Sequence, residues 1–409
     1  MAPRLVVLGG SSPFTAALVD AIAAAPGLPP HSLVLHGRDP RGLDLVRAYA
    51  AHHLRPLGWT AGAETRLDAA LDGAGVVLHQ VRYGGMAARA RDEAFCAAHG
   101  CPADETLGPA ALLSALRALP GLEAVSREIG SAAPDAWVLN LTNPLSAVTA
   151  LMSEAGIRRC IGVCELPEAT LAGAAAVLDV APAELEWRYA GLNHRGFLYD
   201  LRHRGGDVLD ALVARLGSRT LGGIPAAVIA RLRAVPLKYF SLVMEGGAPP
   251  RPRARFLSTL RERIQGELAR SVTVSPPPSL RERRMDWYAG AVVPMLAAIH
   301  ADTPTLRVGS IRAPDGLARE EKTWVSREGI TPVPAPRPPP EAGEWIACFE
   351  RHERALLDAL GDPSPGGIHR ALAADPVLPA GAAERVSAAL WDAYRAESGA
   401  ETAVAVGGG

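Results

Sequence analysis

A thiol and an imidazole stand about thirty residues apart in this 409-residue chain. Cys164 lies in Ile-Gly-Val-Cys-Glu-Leu-Pro (161–167) and His194 in Ala-Gly-Leu-Asn-His-Arg-Gly (190–196). A thiolate and a neutral imidazole can share one divalent metal ion. Far upstream, Gly9-Gly10-Ser11-Ser12 forms a glycine-rich turn between an apolar run and a helical pattern. Such a turn lets the backbone approach a pyrophosphate at a helix N-terminus. A metal beside a nicotinamide is more than a simple dehydrogenase needs, so the pair points to a redox cofactor serving some other chemistry. Each signal also has a plain structural meaning. A lone cysteine in an apolar strand is usually a small buried hydrophobe, and a glycine turn also connects ordinary strands to helices.

The elements that must position these groups alternate. Arg4–Leu8 and Ser32–His36 are apolar strands, residues 76–80 form a third, and residues 133–141 form a fourth that ends in Thr142-Asn143-Pro144. Helical periodicity covers residues 14–25, then 110–119 and 121–129 around Pro120, and 168–178. A strand leads into Cys164, and residues 186–192 form another leading to His194. Strands alternating with helices predict an α/β fold. The expected organisation is a Rossmann-like doubly wound parallel sheet over 1–166, an α+β substrate, metal and oligomerisation domain over 167–396, and a disordered tail over 397–409. Helices are expected at 251–268, 287–300, 349–360 and 383–396, and proline-rich loops at 275–279 and 333–340.

Composition narrows the classes. Hydrophobic residues are 48% and charged residues 21%, ordinary for a globular protein. A net charge of −1 gives no electrostatic case for nucleic acid or an anionic membrane. Five cysteines at irregular spacing argue against a disulfide framework and for a reducing compartment. No apolar run approaches a membrane span, and the N-terminus enters a strand at once instead of reading as a signal peptide, so a cytoplasmic location is expected.

The second strand normally ends in an acid that binds the adenosine ribose. Here Gly37 stands in that place, followed by Arg38 and Asp39. Loss of the acid and gain of an arginine suits a 2′-phosphate, so NADP competes with NAD. The alternative is that Asp39 takes the acid's role and Arg38 is a solvated charge.

With these residues in view, the chain resembles glycoside hydrolase family 4, the NAD- and Mn-dependent family that includes 6-phospho-glucosidases. The handful of segments that carry the resemblance run in the family's order over about residues 3–395. They are residues 6–15, Gln80-Val81-Arg82-Tyr83-Gly84-Gly85, Arg89 to Glu93, Glu105-Thr106-Leu107-Gly108-Pro109, Asn140 to Pro144, the Cys164 and Asn193-His194 segments, Pro236-Leu237-Lys238-Tyr239 and Arg283 to Tyr288. The resemblance implies a fold like lactate and malate dehydrogenase, a sugar (phospho)glycoside substrate, NAD (or NADP), Mn²⁺ or another divalent metal, and a homo-oligomer, dimer or tetramer. It implies hydrolysis of O-glycosidic bonds, 6-phospho-β-glucosides above all. The sugar is oxidised at C3, deprotonated at C2, loses its leaving group, takes up water and is reduced again, so no net redox occurs.

The same resemblance implies roles. Cys164 and His194 hold the metal. Tyr239 is the C2 base, and Glu105 raises its basicity. Glu165, where the family carries Asp or Asn, retains acid capacity for the leaving group. Arg89, Asn143 and Arg283 contact substrate, with a register slip from Arg283 to Arg284 also compatible. Gly9, Gly10, Ser11, Ser12, Arg38 and Asp39 bind the cofactor. On an extended segment Lys238 would point away from Tyr239. Two other readings of the residues stay open: a net dehydrogenase of a sugar or hydroxy acid, which would release stoichiometric NAD(P)H, and an inactive sugar- or nucleotide-binding sensor.

Overall fold

The structure, a computed structural model, describes residues 4–25, 27–29, 31–244, 252–379 and 381–406. Six strands, β1 (Arg4–Leu8), β2 (Ser32–His36), β3 (Thr60–Glu64), β4 (Ala74–His79), β5 (Trp137–Asn140) and β6 (Cys160–Gly162), pair in parallel in the order β6-β5-β4-β1-β2-β3. Parallel strands covered on both faces are apolar throughout, and Leu5-Val6-Val7-Leu8 is wholly buried. Leu5 and Val7 join a core with α1 (Ala16–Ala23) and α2 (Pro40–Leu54). Val6 and Leu8 point the other way, into a core with α5 (Pro109–Ala132) and α6 (Leu145–Glu154). Between them in sequence lie α3 (Leu67–Leu71) and α4 (Gly85–Ala98), and α7 (Leu166–Leu178) follows β6.

This strand order leaves a crevice where the chain reverses direction between β1 and β4, the place where open parallel sheets bind ligands. Gly9-Gly10 follows β1, Gly37-Arg38-Asp39 follows β2, Gln80-Val81-Arg82 follows β4, Leu141-Thr142-Asn143 follows β5 and Val163-Cys164 follows β6. Residues scattered over some 155 positions of sequence thus share one edge.

The antiparallel strands Thr305–Arg312, Ala318–Ser326 and Gly329–Pro332 continue the same sheet beyond β6 through Ser310↔Gly162. The chain beyond residue 166 therefore contributes to the first sheet as well as building its own. That second sheet is the hairpin β7 (Leu185–Leu192) and β8 (Arg195–His203), joined by Asn193-His194, with Val235–Pro236 on its edge. Its core with α7 contains Cys164, Tyr189 and Phe197.

Several elements differ from the expectation. β3, with its alternating Ala and Gly, carries no apolar run to announce it. The strand expected at 133–141 is the shorter β5, because α5 runs on to Ala132 as one helix through Pro120. Proline removes one backbone donor but can be carried inside a long, packed helix. The helix expected at 287–300 opens as a π-helical turn, Tyr288–Val292, before Val293–His300. The last helix spans Ala382–Val406, through most of the segment expected to be a disordered tail, and residues 407–409 lie outside the described residues.

At the crevice, Gly9 and Gly10 both donate backbone N–H groups to the His36 carbonyl, at 3.0 and 2.8 Å. Gly9 has φ +88. A Cβ on Gly10 would stand 2.9 Å from the Leu35 Cβ and 3.0 Å from the Val7 carbonyl oxygen, both parts of the central sheet. Gly10→Ala is therefore expected to destabilise the protein by about 1–3 kcal/mol and to weaken nucleotide binding. Thermal unfolding and NAD titration measure the two effects, and an unchanged melting temperature would count against the packing described here.

Candidate active site

The sheet edge sets the cofactor crevice. A Cβ at position 37 would lie 2.7 Å from Ser11 Oγ. Ser11 thus requires the glycine that replaces the usual acid. Asp39 caps α2: its Oδ1 accepts from the Gly42 N–H at 3.1 Å, and its other oxygen faces Arg261 at 3.8 Å. That capping bond already accounts for Asp39 without a ribose. Arg38 is exposed beside it. On the other side of the turn, Tyr288 donates its O–H to Gln80 Oε1 at 2.8 Å, and Gln80 Nε2 donates to Thr15 Oγ1 at 3.1 Å. The π-helical turn, a feature frequent at functional sites, thereby reaches the crevice. Its Gly290 also leaves room for Glu165, whose Cβ would be 3.3 Å from an added side chain.

Cys164 is buried just past β6, and His194 is buried in the β7–β8 turn. His194 has φ +66, a conformation that costs a non-glycine residue on the order of 1 kcal/mol. Its Nδ1 meets Thr106 Oγ1 at 2.7 Å. Burial, with Lys238 nearby, pushes its pKa down to about 3, so the ring is neutral, the form in which an imidazole acts as a ligand. Burial, reinforced by Glu165 and Glu320, pushes the Cys164 thiol well up. A thiolate there needs a cation beside it. Asn193 precedes His194 in the turn, its amide opposes the upward push on the Cys164 thiol, and its Nδ2 donates to Glu320 Oε1 at 3.0 Å.

Tyr239 stacks on His194, with ring centroids 4.0 Å apart and planes 1° from parallel. Burial pushes its hydroxyl pKa well above the ordinary value, and Asp104, Glu105, Cys164 and Glu165 push the same way. These causes show the candidate base gathered with the candidate ligands and acid. They also show that it needs positive charge nearby to ionise. The expectation that Lys238 points away from Tyr239 is overturned. Lys238–Leu242 is a 3₁₀ turn, not an extended segment, and Lys238 Nζ lies 5.4 Å from the Tyr239 ring centre.

Glu105 is the meeting point of the arginines. It accepts from Arg82 Nη2 at 2.8 Å, from Arg89 Nη1, and from Asn143 Nδ2 at 3.1 Å. Burial opposes its charge, yet Arg82, Arg89 and Asn143 together hold its carboxyl well below the usual range. Arg89 also pairs with Glu93 at 2.9 Å, and Glu93 caps the helix Ala254–Arg270 by accepting from Arg253 and Ala254 N–H. Asn143 Oδ1 is buried without a partner. Arg283 is sandwiched between Phe14 and Trp287, 4.6 and 5.2 Å from the ring centres. Burial lowers its pKa to about 10, and Arg253 and Arg82 push the same way. Arg284 points outward, 89% exposed, to Asp286. The inward position in this segment is therefore Arg283.

Glu165 begins α7, with Oε2 3.7 Å from the Cys164 sulfur. Thr106, Glu320, Arg82 and the Arg195–Glu353 pair were not legible as individual site residues. Glu320 and Glu353 come from strands and helices more than a hundred residues beyond His194, and spacing alone carries no signal for them. Arg195 donates to Glu353 Oε2 at 2.5 Å within the core. The preceding residue on the same helix (Pro340–Gly361), His352, meets Asp375 at 3.2 Å, and Asp375 Oδ2 accepts from Gly108 N–H at 2.6 Å. One helix thus braces both the His194 turn and the Glu105–Thr106 loop.

The chain is similar to known glycosyl hydrolases. The model of the family 4 glycosyl hydrolases matches residues 5–180. A probable 6-phospho-beta-glucosidase of Bacillus subtilis (strain 168) is 26% identical over 410 aligned positions, 92% of each chain. A 6-phospho-alpha-glucosidase of Lacticaseibacillus paracasei is 34% identical over 143 positions, 33% of this chain and 31% of the relative. The fold is that of the 6-phospho-beta glucosidase of Thermotoga maritima solved with manganese, NAD⁺ and glucose-6-phosphate, with a TM-score of 0.85 at 20% identity over 96% of this chain and 98% of that one.

The Glu105 cluster has a pH signature. A carboxyl held below its ordinary value of 4.5 contributes stability that is present above that pH and is lost as pH falls through the acid range below it. Glu105→Gln removes that contribution and leaves two guanidiniums short of their anion. The melting temperatures of wild type and variant should differ most near neutrality and draw together progressively as pH falls below the ordinary carboxyl range. A gap that stays constant in thermal unfolding from about pH 3 to about pH 8 would show that Glu105 is not held as an anion by this cluster.

Proposed function

We propose that the chain is a family 4 glycosyl hydrolase, as its similarity to that family supports, and that it hydrolyses 6-phospho-β-glucosides with NAD and a divalent cation, Mn²⁺, as resident cofactors. The observation that carries the substrate class is the excess of guanidinium beside the Cys164–His194–Tyr239 group. Arg82, Arg253 and Arg283 act on one another around a single carboxylate, Glu105, that is already shared with Arg89. Like charges held together in a half-buried site call for an anionic ligand, and a sugar phosphate supplies one.

When bound, NAD accepts and returns a hydride of the sugar ring, and the cation polarises the ring oxygens. The donor set suits a cation: Cys164 and the neutral His194 would hold it, with Thr106 fixing the imidazole's tautomer through Nδ1. The Gly9-Gly10-Ser11-Ser12 turn would carry the pyrophosphate. The ribose contact goes to Arg38 in preference to Asp39, whose carboxylate caps α2. Tyr239, stacked on His194, would take the proton from the sugar carbon next to the carbonyl. Glu165, against Cys164, would protonate the departing oxygen. Asn143 and Arg89 orient the sugar from the other side of Glu105. Five free cysteines suit a reducing compartment, and we place the protein in the cytoplasm as a homo-oligomer, which light scattering reads directly. Among the described residues, no helix is long and apolar enough to cross a membrane.

Aryl-glycoside release tests the proposal, using β- and α-glucosides with and without a 6-phosphate. Release should need both Mn²⁺ and NAD⁺, stop with a chelator, favour the 6-phospho-β compound, and leave no net reduced nicotinamide. Reduced cofactor without aglycone release would make the protein a dehydrogenase. Cofactor binding without turnover would make it a sensor. Preference for the α compound would reassign the anomer. Tyr239→Phe should lower kcat by about 10²–10⁴ with NAD affinity unchanged, and Arg283→Gln should raise KM for the phosphorylated substrate far more than for the plain glucoside.

A further inference from the structure

Arg82 and Asn143 reach Glu105 from two different connections, one after β4 and one after β5. Both can serve one carboxylate only if the two backbones keep a fixed spacing. The ladder between β4 and β5 ends where the Leu141 N–H donates to the His79 carbonyl at 2.8 Å. Past that point the connections are tied by side chains, and the ties centre on His79.

His79 ends β4 and is wholly buried. Burial pushes its pKa down to about 4, so the ring is neutral, with one donor and one acceptor nitrogen. Its partners decide which is which. The Asn140 amide donates through Nδ2 to the Thr142 carbonyl at 3.3 Å, the Leu145 carbonyl at 3.2 Å and Thr149 Oγ1 at 3.0 Å. Its Oδ1 therefore faces the other way, where it accepts the Thr142 backbone N–H at 2.9 Å and meets His79 Nδ1 at 3.0 Å. Nδ1 is thus the donor and Nε2 the acceptor. The Tyr83 hydroxyl, 3.1 Å from Nε2, must donate to it. A second tie runs from Thr142 Oγ1 to the Val81 carbonyl at 3.0 Å. Arg82 is flanked by two anchored residues, Val81 and Tyr83, and Asn143 follows a third, Thr142. The helix α5 is shaped to admit the tyrosine. A Cβ on its Gly121, the residue after Pro120, would stand 2.8 Å from Tyr83 Cδ1. Apolar side chains would fill this space without needing partners. A fully bonded polar chain gives in addition one defined arrangement.

We propose that Tyr83 and His79 are positioning residues, a buried strut that sets Arg82 and Asn143 at the spacing at which both hold Glu105. Tyr83 acts on the carboxylate through Arg82. The strut's consequence for ligand binding rests on the sugar-phosphate reading above.

The experiment is a double-mutant cycle of Tyr83→Phe and Glu105→Gln, read by thermal unfolding near neutral pH. Glu105→Gln removes the anion that Arg82 serves, so a displaced Arg82 then costs little more. The loss of melting temperature caused by Tyr83→Phe should be smaller in the Glu105→Gln background by at least about 2 °C. A smaller difference than that would overturn the strut and mark Tyr83 as an ordinary packing residue. If Tyr83→Phe does not fold, Thr142→Val removes the tie on the other side of Arg82 and runs the same cycle under the same criterion. Calorimetric titration with glucose 6-phosphate, NAD⁺ present, reads the consequence for the ligand. Tyr83→Phe should weaken binding by about fivefold or more, and adding it to Arg82→Gln should weaken binding no further. An unchanged affinity in a folded Tyr83→Phe would overturn the link from strut to ligand. If wild type itself does not bind glucose 6-phosphate, the sugar-phosphate reading falls, and the unfolding cycle still decides the strut.

Discussion

Glu105 accepts from Arg82 on the connection after β4, from Arg89 on α4 and from Asn143 on the connection after β5. These three groups come from three neighbouring parts of the sheet edge. Guanidiniums converging there repel one another and are only partly solvated, so the edge closes only around an anion. A single carboxylate brings the connections together, and it stands on the loop whose next residue, Thr106, engages His194. Everything else in the candidate site is positioned relative to this charge balance. Arg89 transmits it to Glu93 and so to the N-terminus of the helix Ala254–Arg270. Because one carboxylate faces more than one guanidinium, the site retains an attraction for a further anion.

The other half of the site is built on an opposite electrostatic problem. Asp104, Glu105, Cys164 and Glu165 all disfavour an anion at Tyr239, and burial makes any anion there costly. A thiolate, a tyrosinate and a nearby carboxylate cannot coexist without a cation. The neutral His194 stands beside them as a candidate donor to such a cation. The chain thus sets an anion-seeking pocket of arginines beside a cation-seeking pocket of soft and neutral donors. On the function proposed above, a sugar phosphate would meet the first and a divalent cation the second.

The C-terminal helices stabilise this arrangement from outside. Arg195–Glu353 and His352–Asp375–Gly108 are buried polar contacts made by two adjacent residues of one helix. A buried pair of this kind adds little net stability but strongly disfavours alternatives in which one partner is left alone. It therefore holds the His194 turn and the Glu105 loop in register rather than simply adding strength. The tyrosine-bearing 3₁₀ turn is placed by the same packing, through Phe240 against Phe197 and Trp345.

Much of the fold was legible in the sequence because its physical signals are local. Apolar runs, a glycine turn and Asn143-Pro144 mark strands and their ends, and their alternation with helices specifies a parallel sheet. Motif order was enough to show the resemblance to the family 4 glycosyl hydrolases and to nominate Cys164, His194, Tyr239, Glu105 and Arg283 as site candidates. What the sequence could not decide was contact between distant segments. β3 lacks an apolar run because its Ala and Gly residues serve the sheet edge, and the strands from 305 to 332 join the first sheet through a pairing that spacing does not encode. Gly37 looked like a missing acid, and only packing against Ser11 explains it. Asp39 looked like that acid's substitute, and only the start of α2 shows it as a cap. Lys238 changed sides because a 3₁₀ turn replaced an extended segment. Glu320 was invisible: a carboxylate more than a hundred residues from Asn193 gains meaning only when the chain folds it against the amide. Local chemistry is written in order along the chain, whereas charge balance and ligand orientation arise from long-range contacts that only the tertiary structure decides.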